Sequence, residues 1–311
     1  MHTHNLDPWI HPHVFLGKRH SNNERRVWIV VALTVVMMTA EIAGGNVYGS
    51  LALVADGWHM ATHAAALSIA GLAYFYARRH QRDPRFSFGT GKFGELAAFA
   101  SAIILGMIAV MVAYESAVRF FHPVEIDFVE AVSIAVLGLA VNLASAWLLR
   151  DEHSHDHDHH DHHHRDHDNN LRSAYVHVLA DAATSVLAIF GLLAAWSFGW
   201  TWADPAVGFV GTVVIAIWAY GLIRAAGGVL LDVVPDLKLE KDIRARLETG
   251  GDRISDLHLW QVGPGHCAVV AAIVTDDPRP PTLYKERLAD LNRLSHVTIE
   301  VCRCPDHADA A

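Results

Sequence analysis

Cysteine is scarce in this chain: three occur in 311 residues, Cys267, Cys302 and Cys304, all towards the C-terminus. Cys302 and Cys304 stand too close together for an easy disulfide, so a reducing compartment is the simpler setting. Charge is thin as well, at 18% of residues against 52% hydrophobic. No basic patch interleaved with aromatics occurs, which excludes a nucleic-acid footprint. The first 24 residues lack the apolar stretch of a cleavable signal peptide, so the first long apolar run is expected to direct membrane insertion itself. A His-Glu-x-x-His pattern is also missing, and with it the signature of an intramembrane zinc protease.

What the chain has in quantity is long apolar runs. About 20 such residues cross a hydrocarbon core of roughly 30 Å. Six runs predict six spans: Val27–Val47, Leu51–Tyr76, Phe93–Phe120, Phe128–Leu149, Ala174–Trp196 and Pro205–Val233. Their flanks predict the orientation. Lys18, Arg19, Arg25 and Arg26 precede the first run, and Arg78, Arg79, Arg82, Arg85 and Lys92 follow the second. Arg150, Arg165 and Arg172 follow the fourth, and Lys238 and Lys241 the sixth, whereas the remaining connections carry essentially Arg119 alone. By the excess of positive residues on cytoplasmic loops, both termini face the cytoplasm and the protein sits in the cell (inner) membrane.

Outside the expected membrane domain (27–235), three pieces remain. Residues 1–26 form a polar tail with His2, His4, His11, His13 and His20. The fourth and fifth runs are joined by a low-complexity loop, 153–168, bearing His153, His155, His157, His159, His160, His162, His163, His164 and His167 among aspartates that supply much of the net charge of −9. With almost no apolar residues, it is expected to stay unfolded without a ligand. Residues 236–305 read as a small cytoplasmic domain in the order α-β-β-α-β, before a short tail, 306–311. LEKDIRARLE and TLYKERLADLNRL have helical spacing, while ISDLHLWQV, HCAVVAAIV and HVTIEVCR have that of strands. A core of this size gains from pairing with a second copy.

Ionisable groups inside a bilayer are costly and therefore point to function. The second run contains Asp56, His59 and His63, spaced along one helical face; the fifth contains His177 and Asp181 at i, i+4. Side by side, the two helices would offer three imidazoles and a carboxylate to one point, a set suited to a tetrahedral Zn²⁺ or Co²⁺. An all-oxygen shell for calcium or magnesium is absent from it. The competing reading, polar residues satisfying one another in a bundle, fits a lone histidine better than two spaced pairs. Asp56 is a fifth ligand, a partner fixing an imidazole tautomer, or a proton carrier. Glu41 and Asn142 lie mid-run; Glu95 and Asp204 lie near run ends, where snorkelling or capping is the expected account.

These residues carry a resemblance. HMATH (59–63), VNLASAWLL before the His-rich loop, HVLADAATS (177–185), the Ala203-Asp204-Pro205 opening and DLHLWQV (256–262) resemble the cation diffusion facilitator family of metal–proton antiporters, from Glu24 to Pro305. The resemblance implies a homodimer of six-span protomers with a metallochaperone-like cytoplasmic domain. It also implies His-x-x-x-Asp in both the second and fifth spans of zinc-transporting members. His177 and Asp181 match that pattern, but His63 stands where an aspartate is expected. The ADGWHMATH form is similar to the family's cobalt/nickel efflux subgroup, which puts Co²⁺ first, with Ni²⁺ and Zn²⁺ behind it. Where some members carry cytoplasmic metal ligands, this sequence has Cys302 and Cys304, with His258 in the first strand of the tail.

The chemistry follows. Metal needs neutral imidazole and ionised carboxylate, so protons compete for the same atoms near neutral pH, where imidazole titrates. The expected activity is efflux by proton-coupled alternating access, with the metal as cargo and no permanent cofactor or catalytic residue. The rival readings are a metal-uptake permease, a membrane-embedded metalloenzyme and a metal-sensing receptor.

Overall fold

The computed structural model describes residues 15, 20–48, 51–122, 128–150, 169–198, 200 and 202–304. Six long helices come first: α1 (His20–Tyr48), α2 (Leu51–Arg79), α3 (Phe93–Phe121), α4 (Phe128–Leu149), α5 (Asn169–Phe198) and α6 (Ala203–Leu230). Apolar surface on every side is tolerable only in lipid, where the backbone must also pair with itself, and a helix meets both demands. Among the described residues, four helices are long and apolar enough to cross a membrane: α3, α4 from Val132, α5, and α6 from Pro205.

Two helices begin a full turn or more earlier than hydropathy alone predicts. α5 starts at Asn169 rather than Ala174, and Asn169, Asn170 and Ser173 in the added turn are all buried. α1 starts at His20 rather than Val27, because Asn23 and Glu24 are buried against the bundle; Glu24 accepts two hydrogen bonds from Arg78 of α2, at 2.9 and 3.0 Å. A hydropathy window cannot see polar residues that tertiary partners satisfy.

Packing makes α5 the hinge of the bundle. One apolar cluster joins Val27 and Val30 of α1, Leu67, Ala70 and Tyr74 of α2, Leu149 of α4, and Leu171, Ala174 and Val178 of α5. A second joins Leu105 and Ala109 of α3 to Ala180 of α5 and to Ile215 and Ala219 of α6. α5 is the element common to both, and it also packs against α2.

The C-terminal piece is a small sheet domain: α7 (Leu237–Leu247), β1 (Arg253–Gly263), β2 (His266–Thr275), α8 (Pro281–Glu286) and β3 (Leu294–Arg303). Strand order is β1-β2-β3, antiparallel then parallel, the parallel step being bridged through α8. The β1–β2 turn places Gly265 at φ +77°, where a Cβ is unfavourable. Ile243 and Leu247 of α7, and Tyr284 and Leu288 around α8, cover one sheet face over Cys267, Val269, Ala271 and Ile273. Asp236 caps α7, its carboxylate accepting from the Lys238 and Leu239 amides.

The second helix of this domain is shorter than expected over TLYKERLADLNRL. α8 ends at Glu286, and the chain continues in i→i−3 turns in which the Leu288, Ala289 and Leu291 amides bond back to Lys285, Glu286 and Leu288. The tight turns let Leu288 reach the core, while Arg246 of α7 donates to the Arg287 carbonyl and pairs with Asp290. That pairing holds the Asp290 carboxyl below its ordinary range.

The domain touches the α2–α3 loop. Phe88 meets Trp260 and His296 edge-on, each at 5.5 Å between ring centroids, and Phe15 packs on Val262 and Ala268. Gly91 lies so close to the backbone of Val262 and Gly263 that a Cβ there would collide. Lys92 Nζ stands 2.5 Å from the Asp232 carboxylate, just past α6.

Candidate metal site in the helix bundle

The sequence places His63 twelve residues into α2 and His177 and Asp181 on one stripe of α5. Because α2 and α5 share the first apolar cluster, those stripes face each other across the bundle interior. The structure brings the three side chains together. His63 Nδ1 lies 2.8 Å from His177 Nε2 and 3.1 Å from Asp181 Oδ2. The two imidazoles meet edge to face, 4.9 Å between centroids.

His63 and His177 are buried, at 3% and 2% exposure, and the Asp181 side chain is slightly more open at 15%. One donor atom from each lies within 4.8 Å of the others, and this is the one such His/Cys/Asp/Glu grouping among the described residues. A tetrahedral ion with bonds of about 2.0–2.1 Å separates its donors by about 3.3 Å. The two separations from His63 Nδ1 are a few tenths of an ångström shorter, and all three donors lie within 4.8 Å of one another, so small movements of the side chains would seat an ion. Two borderline imidazole nitrogens with a harder carboxylate oxygen fit a divalent transition metal.

Not every expected ligand can be placed. Asp56 and His59 lie on α2, His59 one turn before His63, but their side chains fall outside the described residues, as do those of Glu41 and Asp204. The whole His-rich segment, His153 to Asp168, and residues 1–14 and 306–311 also fall outside them. Asn142 of α4 is buried.

The candidate donors of the sheet domain do not converge within one chain. In register, His258 sits opposite Val270 and Thr298, whereas Cys302 sits opposite Val274. Four residues along the sheet and two strands across separate His258 from Cys302 by roughly 16 Å. His258 is exposed and bonds Asp256 at 2.8 Å; Cys302 is exposed with Glu300 beside it; the Cys304 amide donates to the Thr275 carbonyl. The reason is topological: β2 lies between the strands that carry them.

One functional candidate differs from its expected setting. Glu95 does not snorkel or stay at a solvated helix end. It is 1% exposed, and Asn169 Nδ2 of α5 donates to its Oε2 at 2.8 Å. The neighbouring Asn170 donates to the Ala70 carbonyl of α2 at 2.9 Å, and Ser173 to the Asn170 carbonyl. A readable signal existed: Asn170, Ser173, His177 and Asp181 follow i, i+3, i+7, i+11, a single polar stripe on α5.

Fold and site together define a helical membrane protein that gathers metal-type donors between its helices and ends in a small sheet domain. Residues 27–231 match the model of the cation efflux transmembrane domain. The chain is 33% identical to the metal cation efflux system protein CzcD of Cupriavidus metallidurans, across 95% of this chain and 94% of that one. It is 33% identical to the zinc transporter ZitB of Yersinia pestis, across 92% and 91%. It is 28% identical to a cadmium, cobalt and zinc/H(+)-K(+) antiporter of Bacillus subtilis, across 91% of each. The chain belongs to the cation efflux family, the cation diffusion facilitators.

Proposed function

We propose that this protein exports a divalent transition-metal ion from the cytoplasm, with Co²⁺ preferred and Ni²⁺ and Zn²⁺ also carried, in exchange for protons. One observation carries the reading: His63, His177 and Asp181, from two membrane helices, meet at a buried point where lipid-exposed side chains would have no reason to gather. The family relatives named for metal efflux, zinc transport and cation/proton antiport support the class of cargo and the direction.

The architecture behind it is a six-span protomer in the inner membrane, α1 and α2 joining the four helices above, with both ends cytoplasmic. The aromatic cluster of Phe198, Trp200 and Trp202, and Phe120 and Phe121 ending α3, supports this by marking the opposite, outer rim. Residues 27–235 form the transport unit and 236–305 the cytoplasmic domain, and two copies pair as a homodimer. His59 completes the ligand set, and Asp56 is a fifth ligand, fixes an imidazole tautomer or passes a proton. The 153–168 segment concentrates metal at the cytoplasmic mouth, and Cys302, Cys304 and His258 serve cytoplasmic metal binding across copies rather than within one.

In transport, neutral imidazoles and the Asp181 carboxylate take the ion from the cytoplasmic side. Rearrangement of α2 and α5 exposes the site outward, where protons from the more acidic side displace the ion, and their later loss inside reloads the site. Exchanging a carboxylate for imidazole at His63 makes the shell richer in nitrogen and less anionic, and imidazole suits cobalt, nickel and zinc alike. The placing of cobalt first rests on the likeness of ADGWHMATH to the cobalt/nickel efflux subgroup.

The test is uptake of Co²⁺, Ni²⁺, Zn²⁺ and Mn²⁺ by inverted membrane vesicles, with and without a proton gradient across them. Co²⁺ uptake is expected to lead and to depend on the gradient. No uptake of any of the four ions ends the transporter reading, and uptake indifferent to the gradient ends proton coupling. In cells lacking the gene, cobalt accumulation separates export from uptake, since an importer's loss depletes it.

A further inference from the structure

We infer that the crevice between the start of α1 and the end of α2 binds the phosphate headgroup of an anionic phospholipid, whose acyl chain follows the outer face of α1. The inference rests on the six-span reading above, which puts both helix ends at one surface of the bilayer, and it is independent of the cargo and direction of transport. The crevice has a volume of about 530 Å³. Its polar wall is Ser21, Glu24 and Arg25 of α1 with Arg78 of α2, and its apolar floor is Trp28, Ile29 and Ala32. Residues 25, 29, 32 and 36 recur at helical spacing, so the stripe that begins at Arg25 continues through the exposed Ile29 and Val36. From Arg25 to Val36 the helix rises about 16 Å, comparable with the hydrocarbon of one leaflet. Wall and floor thus follow the order of a lipid, a polar head and then an apolar tail.

The charges of the wall suit an anion. Glu24 accepts from Nε and Nη2 of Arg78, and the Phe75 ring centre lies 5.9 Å from the same guanidinium, so the group is braced on two sides. A guanidinium carries five N–H donors, and Glu24 leaves those on Nη1 to another acceptor. Arg25 forms no ion pair among the described residues. Two guanidinium groups against one carboxylate leave the lining with one positive charge in excess. A phosphodiester matches that charge, and arginine donors suit its oxygens. The ammonium of a zwitterionic headgroup would bring like charge to the same place. Trp28 supplies an aromatic at the polar–apolar boundary, and its ring lies against Gly71 of α2, where a Cβ would stand 3.0–3.3 Å from it. A solvated basic rim accounts for Arg25 alone, but not for a walled crevice with a braced second arginine and a floor that leads into lipid. Free phosphate has the charge but nothing to cover that floor.

The test is native mass spectrometry of the purified full chain in detergent, without metal, titrated with phosphatidylglycerol or with phosphatidylcholine of identical acyl chains. Phosphatidylglycerol is expected to bind about fivefold more tightly, the effect of roughly one basic side chain at a lipid surface; equal binding overturns the proposal. Arg25→Gln is expected to remove that advantage and leave phosphatidylcholine binding unchanged. Arg82→Gln, in the exposed α2–α3 loop, is expected to keep it. An advantage that survives Arg25→Gln, or that falls equally with Arg82→Gln, overturns the site. If Arg25→Gln is not recovered folded, Ala32→Phe decides by filling the crevice, with weaker phosphatidylglycerol binding expected and unchanged binding overturning the proposal. Glycerol phosphate in millimolar excess is expected to leave the lipid bound; displacement would make this a site for free phosphate and overturn the lipid assignment. The six-span reading is checked separately in nanodiscs, where Val36→Cys is expected to add no thiol reactive to a water-soluble maleimide. A reactive thiol there would take α1 out of the lipid, a result distinct from any loss of lipid preference.

Discussion

The helix bundle and the sheet domain hold similar donors in opposite ways. In the bundle, His63 stands 114 residues before the His177–Asp181 pair, yet the donor atoms of all three lie within 4.8 Å. In the sheet domain, Cys302 and Cys304 are neighbours in sequence, but His258 lies two strands away from them. Helices crossing a bundle aim one stripe each at a shared interior, so two stripes suffice to make a cage. A three-stranded sheet spreads its strands side by side, and residues on its outer strands are kept apart by the strand between. The bundle imidazoles are buried, whereas His258 and Cys302 are exposed. Donors in a buried interior are held by packing; donors on a sheet edge need a second surface to close over them.

The sharpest way to break this contrast is to remove a bundle donor. His177→Ala and Asp181→Ala should each lower Co²⁺ transport by more than about 100-fold, since losing even an outer supporting partner of a metal site costs about 10–100-fold. Normal transport by either variant would move the site elsewhere. Replacing both Cys302 and Cys304 by serine should change the transport rate by less than about twofold, because any metal they hold across copies lies outside the transport site of the bundle; a collapse comparable to His177→Ala would erase the difference between the two regions.

Next in size is the identity of one bundle donor. His63→Asp should raise the Zn²⁺-to-Co²⁺ rate ratio by about tenfold, in the direction a more anionic shell favours. An unaltered ratio removes His63 from selectivity. In the sheet domain the comparable perturbation is mechanical. Ile243→Ala empties part of the face beneath Val269 and Ala271 and should cost about 2–5 kcal/mol, read as faster amide exchange along β2 with the bundle unaffected.

The smallest effect concerns acid. Arg85 bonds the Asp83 carboxylate from both its guanidinium and its backbone, lowering that pKa to about 2. A lowered carboxylate contributes stability above its unfolded value, and loses it only as pH falls through about 2. Asp83 thus stays ionised wherever transport is measurable, and Asp83→Asn should leave the midpoint of the transport pH profile in place. A moved midpoint would bring this loop into the proton chemistry.

Much of this architecture was legible from the chain because water and lipid sort residues by coarse rules. Apolar runs announced the long helices, and alternation announced β1, β2 and β3. The i, i+4 spacing of His177 and Asp181 pointed both to one side. What escaped reading was polar and buried. Asn23, Glu24, Asn169, Asn170 and Ser173 extend α1 and α5 beyond their apolar runs. Glu24, Asn169, Asn170 and Ser173 are acceptable inside because a partner from another helix or a local backbone group meets each. Glu95 looks like a surface cap until Asn169, 74 residues away, is seen beside it. α8 stops early because Tyr284, Leu288 and the Arg246–Asp290 pair favour tight turns over a longer helix.

The sequence by itself determined that long apolar helices would carry a few costly ionisable side chains, because periodicity and hydrophobicity act locally and leave a pattern in the residues. Only the tertiary structure decided which of those side chains meet. That depends on how α2, α3 and α5 are rotated and packed against one another, and packing is settled by the shapes of many small side chains at once. It put His63 on His177 and Glu95 on Asn169, and it kept His258 away from Cys302.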